Sequence, residues 1–289
     1  MAIFGRKKNI FEEAYFPDRY VNRITDLDSD FFTKEDIKGV IIDVDNTVID
    51  VKKNLIDGLV EWRDELKAKG IDVVILSNTI DKIKVSKIAD LLDVDYFTFG
   101  RKPNTGGFMK AKRHLELDVE NIAVIGDQIF TDVLGANRAG MLSVLVNPLH
   151  EHNDYFITKW KRPLEEKVLT KYLKHIEEKE KNPEKYQHVL RALEQRLENQ
   201  EKENDTSHTT KLSKVVKAAK EKQKKEFSEE TESKKKINDE IGNYQESFNT
   251  ENRFSEYIVN VEKNEKENRV LKRPKTKASK LEVKEEFER

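Results

Sequence analysis

Between residues 40 and 146, five short apolar runs rich in β-branched residues recur, with amphipathic helical patterns between them. The runs are Val40–Val44, Val73–Leu76, Tyr96–Phe99, Ile122–Ile125 and Leu142–Val146. Each is apolar on both faces, as a strand covered on both sides must be. Leu55, Leu59, Trp62 and Leu66 recur at three- and four-residue spacing and predict a helix over 55–69 that Gly70 closes. Ile83, Ile88, Leu91 and Leu92 predict a second, and Asn104 or Thr105 opens a third that reaches Leu115. A fourth runs over 131–139 and ends at Gly140. Strand–helix alternation of this kind implies right-handed βαβ units: a parallel sheet with helices on both faces, whose ligands bind at the carboxyl ends of the strands.

Composition matters because it differs along the chain. Residues 1–170 carry 25 Lys and Arg against 29 Asp and Glu. Residues 171–289 carry 29 against 26, nearly half of that stretch. The excess polarity therefore belongs to the C-terminal part. The expected organisation is an α/β domain over 1–165, charged amphipathic helices over 166–200 and a charged, disordered or marginally helical tail over 201–289. Val168, Leu169, Tyr172, Leu173 and Ile176 form one apolar stripe; Tyr186, Val189, Leu190, Leu193 and Leu197 form another. The expected roles are one helix docked on the domain and one available for coiled-coil-like self-pairing. With no cysteine, thiolate metal sites and cysteine nucleophiles are excluded. No apolar run approaches the ~20 residues of a spanning helix. The near-neutral charge gives no pull toward nucleic acid, and the expected location is cytoplasmic, with peripheral membrane contact an option.

Polar clusters follow four of the five runs. Asp43 and Asp45 stand two apart at the end of the first, and paired carboxylates there call for a cation. Ser77 and Asn78 follow the second; a hydroxyl beside a helix start suits a phosphate oxyanion, or caps the helix. Lys102 follows the third and places a compact positive charge at the same sheet edge. Gly126-Asp127 and Asp132 follow the fourth. Singly, each cluster reads equally as a cap or a solvated loop. Four in register do not.

The order Asp-x-Asp, Ser, Lys, Gly-Asp-x-x-x-x-Asp resembles the haloacid dehalogenase-like (HAD) phosphatase superfamily. Phe16-Pro17-Asp18-Arg19-Tyr20-Val21, Arg101-Lys102-Pro103 and the stretch from Gly126 to Arg138 are similar to its YqeG-like subfamily, which is related to mitochondrial phosphatidylglycerophosphate phosphatases. The resemblance covers roughly 16–169. It implies a capless, Rossmann-like phosphatase domain. Asp43 would be the nucleophile and Asp45 the acid and base. Ser77, Asn78 and Lys102 would bind phosphate. Mg²⁺ would be held by Asp43, the Asp45 carbonyl, Asp127 and Asp132. The spacings from Asp45 to Ser77 and from Ser77 to Lys102 leave no room for an inserted cap, so a phosphate on a bulky or membrane-borne molecule is expected. Aromatic and basic residues among the first 24 positions are expected to suit an anionic surface. The competing reading is a non-catalytic interaction protein that uses the domain and tail for binding. The tail's partner is not legible.

Overall fold

A computed structural model describes residues 13–50, 54–150, 162–203, 210–225, 228–229 and 231–236. The chain divides into two units, Met1–Glu221 and Lys222–Arg289. In the second, the described residues are short helical pieces with exposed or half-exposed side chains.

The first unit is built on six parallel strands: β1 (Arg19–Val21), β2 (Gly39–Ile42), β3 (Asp72–Leu76), β4 (Asp95–Phe97), β5 (Ile122–Gly126) and β6 (Leu142–Val146). Their spatial order is β1-β6-β5-β2-β3-β4. The helices are α1 (Ser29–Lys34), α2 (Leu59–Ala68), α3 (Lys82–Leu92), α4 (Thr105–Leu115), α5 (Leu134–Ala139), α6 (Arg162–His175) and α7 (Pro183–Glu203); residues 211–225 are also helical.

Alternate side chains of the strands feed two cores. Val40, Ile42, Ile75 and Ile125 pack with Phe32, Trp62, Leu66 and Ile88 from α1, α2 and α3. Ile41, Val74, Leu76 and Val124 pack with Phe108, Ala111, Ala136 and Ala139 from α4 and α5 on the other face. This is the expected fold class: a parallel sheet sandwiched between helices. The chain winds outward from β2 through β3 to β4, then restarts at β5 on the other side of β2. The strand order thus reverses between β2 and β5, which opens a crevice at their carboxyl ends. Among the described residues, only α2 and β3, with a short loop before them, lie between Asp45 and Ser77, and only α3 and β4 lie between Ser77 and Lys102. Neither interval holds a further domain.

Several elements differ from the sequence reading. β1 and α1 were not foreseen; a three-residue strand buries one inward side chain, Tyr20, and shows no period. Phe99 lies outside β4 with a left-handed backbone, φ 55°. The second apolar stripe, expected to be free for self-pairing, is used within the chain. Val189, Leu190 and Leu193 join Leu169, Tyr172, Leu173, Ile176, Phe16, Tyr20, Leu145, Leu212, Val216 and Ala219 in a third core beyond the β1 edge. The aromatic set expected to face a membrane is partly withdrawn by the same packing: Phe16 and Tyr20 are buried, and Tyr15 lies edge-on to Phe130. Residues 1–12, which carry the rest of that set, and most of the 201–289 stretch lie outside the described residues. Among the described residues no helix is long and apolar enough to cross a membrane.

Candidate active site

The crevice between β2 and β5 gathers Asp43 from the end of β2, Asp127 and Asp132 from the segment after β5, and Lys102 from the loop after β4. The β2 ladder delivers Asp43, whose N–H continues the pairing by donating to Ile125 O (2.9 Å). Burying a carboxylate here requires partners, and Lys102 supplies one. Its ammonium lies 2.6 Å from Asp43 Oδ1 and 2.6 Å from Asp132 Oδ1. The exposures of Asp43, Lys102, Asp127 and Asp132 are 7%, 8%, 5% and 1%, so water contributes little to their solvation.

The supporting contacts explain the local folding. Asp132 sits in a wide helical turn, Ile129–Val133, with i→i+5 bonding, a geometry frequent at functional sites. The Gln128 N–H (3.2 Å) and the Thr131 hydroxyl (3.3 Å) both donate to Asp132 Oδ2. Gly126 is obligatory beneath it: a Cβ there would lie 2.6 Å from an Asp132 carboxylate oxygen. Thr47, 2% exposed, donates to Asp127 Oδ1 (3.4 Å). Ser77 is 1% exposed, and its Oγ accepts from the Thr79 N–H (3.1 Å). Asn78 bonds to the backbone of Lys102. Its Oδ1 accepts from the Lys102 N–H (2.7 Å) and its Nδ2 donates to the Lys102 carbonyl (3.1 Å), which ties the β4–α4 loop to the end of β3.

Electrostatics follow from this crowding. Burial, with repulsion from Asp132 added, raises the Asp43 carboxyl from 3.8 to about 6 against the pull of Lys102. Burial alone would push Lys102 down, but Asp132 and Asp43 outweigh it and hold the ammonium well above its ordinary value. The two shifts have opposite meanings for ionisation, and sharing reconciles them. One ammonium is stabilised by two carboxylates, whereas each carboxylate has half a cation and a like-charged neighbour.

Asp43, Asp127 and Asp132 form a group whose ligand oxygens all lie within 4.8 Å of one another. The all-oxygen donor set of these three buried carboxylates suits a hard divalent cation. The residues therefore fit a metal. Asp45 adds no carboxylate to the group. Half-exposed, it is paired instead with the ammonium of Lys84 from α3. Sequence reasoning missed Lys84: among Lys82, Lys84 and Lys87 it reads as one more solvated helix lysine.

A doubly wound parallel sheet with this acidic group at its switch point and a buried lysine from the next loop defines a HAD-type hydrolase. A HAD-hydrolase-like family model matches residues 99–148. The probable phosphatase YqeG of Bacillus subtilis (strain 168) is 35% identical over 162 residues, covering 56% of this chain and 93% of that protein. Phosphatidylglycerophosphate phosphatase 1, chloroplastic/mitochondrial, of Arabidopsis thaliana is 26% identical over 157 residues, covering 51% of this chain and 45% of that one. Ribulose-1,5-bisphosphate 5-phosphatase of Halopiger xanaduensis is 27% identical over 106 residues, covering 34% and 44%. The chain thus spans less than half the length of the last two relatives. It belongs to the YqeG-like family of HAD phosphatases.

Proposed function

We propose that the chain hydrolyses a phosphomonoester with Asp43 as the covalent nucleophile and Mg²⁺ as the bound cation. The observation that supports this most is the position of Asp43: buried, 2.6 Å from Lys102 and grouped with Asp127 and Asp132 at the switch point. An Asp43 oxygen attacks phosphorus as the bond to the leaving oxygen breaks, and Asp45 gives that oxygen its proton. Water then loses a proton to Asp45 and attacks the aspartyl phosphate, which releases inorganic phosphate and restores Asp43. Lys102 stays protonated and, with Ser77, balances charge on the phosphoryl oxygens. Asn78 positions Lys102 through its two backbone hydrogen bonds. Asp43, Asp127, Asp132 and the Asp45 carbonyl would hold Mg²⁺, which supplies charge neutralisation and orientation of the phosphoryl group.

For the substrate, the absence of an inserted domain in the two intervals favours a phosphate on a large molecule. A relative named for phosphatidylglycerophosphate makes that lipid the first candidate. The domain division offered is a catalytic body through residue 165, helices over 166–200 and a tail beyond.

The decisive experiment is Asp43→Asn, nearly isosteric, assayed on an aryl phosphate with Mg²⁺ and after chelation. Turnover should be abolished by the substitution and by EDTA, and beryllofluoride should add to Asp43 in the unmodified protein. Near-normal turnover by folded Asp43→Asn would eliminate the covalent mechanism.

A further inference from the structure

Unlike Asp43, Asp127 and Asp132, Asp45 has a carboxylate that the buried acidic group does not hold. Its backbone is fixed. Val44 O accepts from the N–H groups of Thr47 (3.4 Å), Val48 (3.1 Å) and Ile49 (3.3 Å), which closes the turn after β2. The next residue, Asn46, is left-handed (φ 59°), and its carbonyl accepts from the Leu149 N–H (3.0 Å). The Asp45 side chain, in contrast, stands at the rim and is 50% exposed. A half-solvated carboxylate on a short rotatable stem samples several rotamers, whereas a proton donor has to be held in one.

Lys84 supplies that hold. Its side chain is only 16% exposed although it belongs to the first turn of α3, and its ammonium pairs with Asp45 Oδ1. The neighbouring lysines are placed differently: Lys87 is exposed, and the Lys82 ammonium lies 5.8 Å from the Phe99 ring centroid. Lys84 is itself positioned from the site. The Thr79 N–H donates to Ser77 Oγ (3.1 Å), the Asp81 N–H to Thr79 Oγ1 (3.2 Å) and the Lys84 N–H to Asp81 Oδ1 (3.0 Å). Three local bonds thus run from the residue assigned to phosphate binding to the root of the lysine side chain. Stability is a weak reason for such a pair, since a partly exposed ion pair seldom yields more than about 1 kcal/mol and must order both side chains. What the pairing does accomplish is to fix a carboxylate that would otherwise turn.

We propose that Lys84 is a positioning residue for Asp45: it holds the carboxyl group at the mouth of the crevice, apart from the buried acidic group, where the leaving oxygen departs and the hydrolytic water enters. The proposal rests on the phosphatase reading above and adds a residue to its machinery. Lys84 transfers no proton. The proton that reaches the leaving oxygen comes from Asp45, and the one that replaces it comes from water; Lys84 sets where the carboxyl group stands in both steps. Direct contact between Lys84 and the substrate would instead make its contribution independent of Asp45.

The test is a double-substitution cycle on the full chain with Mg²⁺. It uses phenyl phosphate, whose leaving oxygen needs a proton, and 2,4-dinitrophenyl phosphate, whose leaving oxygen does not. On phenyl phosphate Lys84→Met should lower kcat about tenfold or more, a share of the ~100-fold or more that a positioned proton donor contributes, with KM within about twofold of normal. On 2,4-dinitrophenyl phosphate the loss in kcat/KM, which reports the steps up to departure of the leaving group, should be much smaller. Adding Lys84→Met to Asp45→Asn should lower phenyl phosphate turnover no further than Asp45→Asn alone, because Lys84 acts through the group already removed. Lys87→Met should leave every value unchanged. Losses that multiply in the double variant, an equal loss of kcat/KM on the two esters, or a normal kcat in folded Lys84→Met would each overturn the proposal. The pair itself is read without turnover, by nitrogen NMR at low temperature. The Lys84 ammonium resonance, identified by its absence in Lys84→Met, should be visible in the unmodified protein and should shift or vanish in Asp45→Asn. A resonance that Asp45→Asn leaves in place, or none in the unmodified protein, means that the ammonium is free and overturns the proposal whatever the activity. A shifted resonance in a protein that hydrolyses no phosphomonoester keeps the pair and refutes the phosphatase reading instead.

Discussion

At the scale of single residues, the acidic group stores charge that folding alone does not favour. Asp43 is raised to about 6 from 3.8, so the folded chain holds that proton more tightly than the unfolded chain does. The sign follows: this contribution to stability is complete below about pH 4 and is lost as pH rises through about 6. Two units at ~1.4 kcal/mol each make the loss on the order of 2–3 kcal/mol. In EDTA, Asp43→Asn should therefore gain stability relative to the unmodified protein between pH 4.5 and 7.5, measured by denaturant unfolding. Mg²⁺ at pH 7.5 should raise the Tm of the unmodified protein more than that of the variant. A stability difference flat in pH would show that Asp43 is not the strained member. The acidic residues were legible in the sequence because each follows a run too apolar to end in solvent without reason. Lys84 was not. A lysine in a lysine-bearing helix looks like a solvated charge, and a left-handed backbone at Phe99 and Arg101 has no signature when the residue is not glycine.

At the scale of elements, small residues decide how closely the pieces meet. Gly126→Ala would drive a Cβ against the Asp132 carboxylate, and the wide turn that carries Asp132 must then move. A shift of about 1 Å in such a group costs on the order of 100-fold in rate. The expected result is a loss of that size in kcat/KM, with a weaker Mg²⁺ response and an unchanged far-ultraviolet dichroism spectrum. Activity close to normal would mean that Asp132 tolerates displacement. Asn137 shows the opposite case, a motif residue with a structural task. Its Nδ2 donates to Ala14 O (2.8 Å) and Phe16 O (3.0 Å), and its Oδ1 accepts from Ser143 (2.8 Å), which pins the segment leading into β1. Asn137→Ala removes these three hydrogen bonds and should cost about 2–3 kcal/mol of unfolding free energy. Turnover per folded molecule should be unchanged. The β–α alternation from β2 to β6 was readable because β2, β5 and β6 are buried on both faces, β3 and the exposed edge strand β4 are still apolar runs in sequence, and the helices between them show a period. The segment before β2 was not: β1 and the six-residue α1 are too short for a period, and tertiary contacts such as Tyr20 Oη donating to Asn147 (2.6 Å) hold them.

At the scale of the whole molecule, the boundary of the folded body lies further along the chain than charge density suggests. Counting charges places the end of the compact part near residue 165–200, because α6 and α7 are polar on average. Their apolar stripes nevertheless close over the β1 edge, and the helix at 211–225 adds Leu212, Val216 and Ala219 to the same core. Leu169, Tyr172, Leu173, Ile176, Val189, Leu190 and Leu193 are each no more than 2% exposed. Fully burying side chains of this size contributes ~1.5–3 kcal/mol each, and a domain has only about 5–15 kcal/mol to spare. Removing the helices takes away these contributions and uncovers Phe16, Tyr20 and Leu145 as well. Two truncations separate the possibilities. A chain ending after Lys225 should stay soluble and hydrolyse an aryl phosphate at close to the full-length rate, since every catalytic cluster and all three cores are retained. A chain ending after Lys161 should be insoluble or unfold at a much lower temperature, although no catalytic residue is missing. If it instead folds with normal stability and turnover, the third core is an accessory, and the catalytic body ends where the charge count places it.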